Sequence, residues 1–166
     1  MKPPLTDFPS HETERLRILP LRSTDAEALR ALTDDPAVTG AIDFLSSPFQ
    51  LADAQALIRS NDDENCFLGA WDDAALIGVV GAHARGDDRI EIGYWIGTRF
   101  QGRGLVTEAV LSVIRRLRQM HPERQIVAEC RRSNQASWRL LLRLGFRPTG
   151  QQGQRRGREL LALADT

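Results

Sequence analysis

From Val106 onward, apolar residues recur at spacings of three and four, at Val106, Ala109, Val110, Val113, Ile114 and Leu117. A strand alternates at two, so this run predicts a helix with one buried stripe. Pro122 marks its end. Glu108 in its first turn and Arg115, Arg116 and Arg118 towards its end match the helix dipole. Immediately upstream the period changes. NCFLGAWDD, ALIGVVGAHA and RIEIGYWIG are strand-like runs broken at Asp72-Asp73 and Gly86-Asp87-Asp88, which predicts an antiparallel meander.

The rest of the chain continues in the same mixed style. Residues 1–12 are Pro-rich and read as a flexible lead-in, and 13–166 as a single domain. TERLRILPLR predicts a first strand whose Pro20 suits a strand end or edge. Thr24-Asp25-Ala26-Glu27 has the order of a capping box before a short helix that stops at Asp34-Asp35-Pro36, and a second helix is predicted over Leu51 to Arg59. After the long helix, QIVAECR predicts a strand. Asn134 is positioned to cap a helix running to Leu144, with Gly145 as its stop. FRPTG and ELLALA predict two closing strands. The fold class is therefore α/β, with a mixed, mostly antiparallel central sheet flanked by about four helices.

At 166 residues the chain suits one domain with a sizeable core. Lys plus Arg balances Asp plus Glu at 22 each, so no overall basic excess points to nucleic acid or an anionic membrane. Cys66 and Cys130 are too few for a disulfide scaffold and lack metal-ligand spacing. They read as core residues in a reducing cytoplasm, and no metal site is expected. No apolar leader or membrane-length run is present in the sequence.

Between the third strand of the meander and the long helix stands RFQGRG, Arg99 to Gly104. A helix start has unpaired N–H groups and partial positive charge, so glycines that let a ligand approach there make an anion site. Taken alone, Gly102 and Gly104 equally suit a tight strand-to-helix turn. A nucleotide P-loop is a poor fit, because Arg103 stands where its lysine belongs and Gly104 where its hydroxyl belongs. A dinucleotide fingerprint fits no better, since the flanking strands are antiparallel.

The hexapeptide resembles the R/Q-x-x-G-x-G/A signature of the GCN5-related N-acetyltransferase superfamily. RIEIGYWIG, FQGRGLVTEAV and NQASWRLLLRLGF are similar, in order and spacing, to blocks of its ribosomal-protein N-terminal acetyltransferase branch, and TERLRILPLR resembles that branch's first strand. This resemblance covers nearly the whole chain. It implies acetyl-CoA as cosubstrate and direct transfer of acetyl to a primary amine, on a protein N-terminus or a small molecule. It also admits a homodimer.

The resemblance further assigns roles to residues. Arg99, Gly102, Arg103, Gly104, Leu105 and Thr107 would hold the coenzyme pyrophosphate, and Asn134 would touch the coenzyme. A backbone N–H near Trp95 or Ile96 would polarise the thioester carbonyl, with pantetheine lying alongside as an extra strand. Glu91 is the leading base for the amine, as family members often carry a glutamate on this strand. Its alternation with Ile90 and Ile92 equally suits a solvated carboxylate on a polar sheet face. The family's usual tyrosine, four residues before the Gly-Phe pair, is Leu141 here. Ser137 remains as the group beside the coenzyme sulfur, or as a serine supporting the helix cap.

The other conspicuous residues read as structural. His83, Asp87 and Asp88 are weaker base candidates, and His11 and His121 read as surface residues. Trp71 and Trp138 read as packing or cleft-wall residues, and Arg155, Arg156 and Arg158 as a solvated turn. Cys130 could suggest an acyl-cysteine route, but no histidine lies in its block to activate it. A non-catalytic acyl-CoA sensor remains open because the usual tyrosine is missing.

Overall fold

The computed structural model describes residues 2–165; Met1 and Thr166, at the ends of the expected lead-in and domain, lie outside the described residues. A single eight-stranded sheet runs through the protein. Its strands are β1 (His11–Glu12), β2 (Arg17–Pro20), β3 (Asn65–Asp72), β4 (Ala75–Arg85), β5 (Arg89–Ile96), β6 (Gln125–Cys130), β7 (Phe146–Gln152) and β8 (Glu159–Leu163). In space they lie in the order β1-β2-β3-β4-β5-β6-β8-β7. Every neighbouring pair is antiparallel except β5 and β6, which run parallel. A parallel pair needs a crossover, and α4 (Leu105–Met120) supplies it.

Helices cover both faces. The stripe of α4, with α5 (Gln135–Leu144), packs on the face carrying Ile90 and Ile92, around Ile18, Leu68, Val80 and Ile126. Helices α1 (Ala26–Thr33), α2 (Pro36–Thr39) and α3 (Leu51–Arg59) pack on the other face, where Leu29, Val38, Ala54 and Ile58 meet Phe67, Val79 and Trp95. The sheet thus separates two apolar cores, as period-two alternation dictates. Among the described residues no helix is long and apolar enough to cross a membrane.

Three expectations are corrected here. The lead-in is not loose: Leu5 and Phe8 are 1% and 4% exposed in the larger core, and β1 pairs with β2. The capping box sits two residues earlier than expected. Asp25 Oδ2 accepts the Arg22 N–H at 2.8 Å, and Glu27 pairs with Arg30. The stop at Asp34-Asp35-Pro36 holds, since α1 ends at Thr33, and Pro36 in addition opens the unexpected α2 in its first helical position, with Asp35 Oδ1 accepting the Ala37 N–H at 2.9 Å. Lastly, His121 is not a surface residue but 1% exposed, and neither ring nitrogen has a partner among the described residues.

Candidate active site

The parallel ladder between β5 and β6 is short. Pairing stops at Glu91 and Val127, although β5 continues to Ile96 and β6 to Cys130, so the strands separate and leave a gap. Which backbone groups face that gap follows from the antiparallel pattern on the other side of β5. Gly97 donates to the Ile77 carbonyl at 2.9 Å, and the β4 and β5 register is uninterrupted, so alternation turns Trp95, Gly93 and Glu91 towards β4. Tyr94 and Ile96 therefore present their N–H and C=O groups to the gap. Of the two residues named for the N–H, Ile96 presents its own to the gap, while the Trp95 backbone pairs with Val79 and its indole donates to Thr33 Oγ1 at 3.1 Å.

The glycine turn lies at one end of this gap. Gly102 and Gly104 have φ of 78° and 74°, in the left-handed region that glycine enters without steric cost. A Cβ at Gly102 would meet nothing within 4 Å, so the backbone there is open to a ligand. The Glu108 N–H bonds to the Gly104 carbonyl at 3.1 Å, which leaves those of Leu105, Val106 and Thr107 without a helical acceptor. Leu105 itself is buried, and Thr107 is half-buried on the cleft wall. Arg99 and Arg103 stand on the exposed outer side of the loop; the Arg99 guanidinium lies 4.9 Å from the Phe100 ring centroid.

One charged residue at this loop escaped the sequence reading. Arg15 donates to the Arg103 carbonyl at 2.9 Å, and a Cβ at Gly104 would sit 3.6 Å from its Nη2. Glu108 positions it: its Oε1 accepts from Arg15 Nε at 2.8 Å, and its Oε2 from Thr13 Oγ1 and the Arg15 N–H. Burial would raise the Glu108 carboxyl, but these donors hold it below the usual range. No short-range pattern links residues this far apart in sequence.

From the glycine turn a cleft of ≈ 500 Å³ passes through the gap to the α1–α3 face. On the α5 side, Asn134 caps the helix by accepting the Ser137 N–H at 3.3 Å, and Ser137 Oγ lies 2.8 Å from Tyr94 Oη. Burial pushes the Tyr94 phenol up to about 12, so it stays protonated. Leu141, in the usual tyrosine position, is 1% exposed in the core. Cys130 also lines the cleft, and burial raises its thiol, which keeps it a poor nucleophile.

The opposite end of the cleft is aromatic and ionic. Phe44, Phe67 and Trp95 have ring centroids 6.0–6.1 Å apart, and His83 packs edge-on against Phe67 at 4.9 Å. Burial pulls the His83 imidazole down to about 4, with Arg85 and Arg155 adding to the effect. Glu91 is not a solvated carboxylate: it is 3% exposed. Its Oε1 accepts from Arg85 Nε at 2.8 Å, with Arg85 Nη2 in ion-pair contact at 2.8 Å, and its Oε2 accepts from Arg155 Nη1 at 2.9 Å. The turn after β7 is likewise not merely solvated, because Arg158 and Arg131 both reach Asp43 Oδ2, at 3.1 and 3.4 Å. Asp87 and Asp88 do not line this cleft.

A thioester carrying phosphates at its far end suits this geometry. Backbone donors at the glycine turn suit the phosphates, and the unpaired edge at Tyr94 and Ile96 suits an extended chain whose carbonyl ends in the gap. A second reactant then has the α1–α3 face for its approach. Comparison with known proteins agrees with that class. Residues 15–147 match the family model described as "Acetyltransferase (GNAT) domain". The chain belongs to the GNAT acetyltransferase family.

A curated relative, the ribosomal-protein-serine acetyltransferase of Escherichia coli (strain K12), is 38% identical over 56 residues. That stretch spans 34% of this chain and 31% of the relative, about a third of its length. Among solved structures, a GNAT-family acetyltransferase from Bacillus anthracis superposes with TM-score 0.80 at 21% identity, covering 93% of this chain and 98% of the other. The microcin self-immunity acetyltransferase MccE, solved with acetyl-CoA and AMP, superposes with TM-score 0.77 at 22% identity, covering 90% and 92%. Both matches bear on the fold.

Proposed function

We propose that the protein transfers acetyl from acetyl-CoA to a terminal primary amine that enters end-on from the α1–α3 face. The single observation carrying this reading is the cleft through the β5 and β6 gap, with the glycine turn at one end and an aromatic, ion-paired chamber at the other. In this reading Gly102, Gly104, Leu105 and Thr107 supply backbone contacts to the pyrophosphate. Arg15, Arg99 and Arg103 add positive charge around it, and Asn134 borders the pantetheine path. The Ile96 N–H receives the carbonyl oxygen as it gains charge, and Ser137 lies beside the sulfur.

The shape of the acceptor chamber supports a slender end group. Asp43 joins the α2–α3 connection to the turn before β8 through Arg158 and to the β6–α5 loop through Arg131, and Asp43 and Arg158 both line the chamber, so these contacts form a crossing at its edge. A chain terminus or a compact amine passes beneath such a crossing more readily than a mid-chain segment. A protein α-amino group is our preferred acceptor, in line with the partial match to the ribosomal-protein-serine enzyme. The free, buried Cys66 and Cys130 support a reducing, cytoplasmic setting.

The test is thiol release from acetyl-CoA with three sets of acceptors: short peptides with free N-termini, the same peptides blocked at the N-terminus but carrying lysine, and small amines. Turnover confined to free N-termini is expected. Turnover only with small amines would replace the protein acceptor. Tight acetyl-CoA binding without turnover on any amine would make the protein a sensor.

A further inference from the structure

Inside the acceptor chamber the sheet is bare at one place. Gly81 and Gly93 face each other across β4 and β5, on the same sheet face as Glu91 and Trp95. Gly93 is exposed to the cleft, and a Cβ on it would meet nothing within 4 Å. A Cβ on Gly81 would lie 2.6 Å from His83 Nε2 and 3.3 Å from two carbons of the Phe67 ring. The imidazole therefore leans over a glycine floor, with Phe67 and Trp95 as its apolar walls.

Hydrogen bonding fixes what that imidazole offers. Asp62 Oδ1 accepts from Asn65 Nδ2 at 3.2 Å, and the Glu64 N–H together with this amide holds the Asp62 carboxyl below its usual range. A carboxylate only accepts, so the amide nitrogen of Asn65 faces Asp62 and the amide oxygen faces His83 Nδ1, at 3.0 Å. That oxygen also only accepts, so Nδ1 carries the ring proton and Nε2 keeps its lone pair. Nε2 has no partner among the described residues and is not one of their buried unpartnered atoms, so it is open to a ligand. Burial holds the ring neutral, and the charges of Arg85 and Arg155 add to the effect.

An acceptor-only nitrogen selects a donor, and its neighbours select which one. Arg85 and Arg155 outnumber the Glu91 carboxylate between them and repel a cation at Nε2, while a carboxylate there would face the lone pair. A neutral hydroxyl suits the position. The donor is not the reacting nitrogen, which must stand at the gap, because Gly81 lies on β4, one strand spacing of about 4.8 Å further from the gap than β5. A hydroxyl on the carbon next to the amine-bearing carbon covers that step with a hydrogen bond of about 3 Å.

Resting on the acetyltransferase reading above, we propose that His83 is a specificity-determining residue and that the acceptor it selects is a vicinal amino alcohol. Such a group is a primary amine with a hydroxyl on the neighbouring carbon, as at a chain terminus beginning with serine or threonine, or in a small amino alcohol. Its hydroxyl lies over the Gly81 and Gly93 floor and donates to Nε2, which turns the amine into the gap.

Thiol release from acetyl-CoA is compared within two acceptor pairs that differ by the hydroxyl alone: a peptide beginning with serine against the same peptide beginning with alanine, and ethanolamine against ethylamine. Wild type should favour the hydroxyl member by about tenfold or more in kcat/KM, as one added hydrogen bond gives. In His83→Leu, which removes the lone pair, that ratio should fall below about threefold, with acetyl-CoA affinity matching wild type as the sign of an intact fold. If that variant fails to fold, His83→Ala carries the same comparison. A preference confined to the peptide pair makes the chain terminus the source of the hydroxyl, and one confined to the small pair makes it the free amino alcohol. Turnover without a hydroxyl preference in either pair overturns the proposal and leaves the acetyltransferase reading standing. A preference that survives loss of the imidazole also overturns it. Absence of wild-type turnover on every amine removes that reading and the proposal with it.

Discussion

Tyr94 Oη lies 2.8 Å from Ser137 Oγ, joining β5 to the first turn of α5 at the wall of the cleft. The phenol that the family usually supplies from this helix is replaced by leucine at 141, and a different phenol reaches the same wall from the sheet. Held protonated by burial, Tyr94 can donate to Ser137, which leaves the serine hydrogen free to point at sulfur.

Ser137→Ala should therefore lower the transfer step about ten- to a hundredfold while leaving acetyl-CoA binding nearly unchanged. Tyr94→Phe should produce a smaller loss, and that loss should vanish in the Ser137→Ala background, since the two hydroxyls act through one bond. Single-turnover kinetics on the four proteins of the cycle make the measurement. Additive losses would show that the pair does not act as a unit.

Gly104→Val should weaken acetyl-CoA binding at least tenfold in a protein that remains folded. The cause is conformational: φ of 74° is costly for a β-branched residue, so the turn must rebuild and the first N–H groups of α4 must reorient. Calorimetric titration reads the affinity, and circular dichroism checks the helix content. Gly102 is the contrasting position, with the same sign of φ but open space around it, so Gly102→Ala should cost less.

Glu91→Gln should destabilise the fold by about 3 kcal/mol, the lower end for breaking a buried ion pair, because Arg85 and Arg155 lose the charge between them. Urea titration near pH 7 measures it. Replacing Arg85 and Glu91 together, as Arg85→Met with Glu91→Gln, should recover part of the loss.

Acid should destabilise the protein well before its carboxylates titrate. His83, His121 and His11 all have imidazoles lowered chiefly by burial. The fold thus favours their neutral forms, while the unfolded chain binds protons at about pH 6.5. Stability is complete above that pH and falls below it, for His83 down to about pH 4. The expected slope is about 1.4 kcal/mol per pH unit for each fully coupled histidine. Urea midpoints between pH 8 and pH 5 test this, and His121→Leu should flatten the dependence, since its ring nitrogens have no partners to lose.

What the sequence disclosed and what it concealed divide along chain distance. The α4 stripe, the α3 boundaries at Leu51 and Arg59 and the Asn134 cap are written within a few residues of each other. Gly102 and Gly104 were legible for a similar local reason, as positive φ at a helix start selects glycine. The polar contacts between distant segments were not. Arg155 is 64 residues from Glu91, Arg15 is 93 from Glu108, and Tyr94 is 43 from Ser137, and no local period relates such pairs. Glu91 shows the result: alternation placed it on the right face but could not say that two guanidiniums wait there. The single turn of α2 was missed because Asp34-Asp35-Pro36 punctuates equally well as an end or a beginning.

The crossing at Asp43 joins segments 115 residues apart, yet the Asp43 carboxylate is half-exposed to water, which limits what its pairing contributes to stability. Sequence drift there is cheap. The connection around Asp43 and the turn around Arg158 can change length or charge without disturbing the glycine turn, which the sheet separates from them. A lineage with this architecture can therefore exchange its acceptor while inheriting its donor site intact, and grafting those two segments between relatives is the direct route to altered amine selectivity.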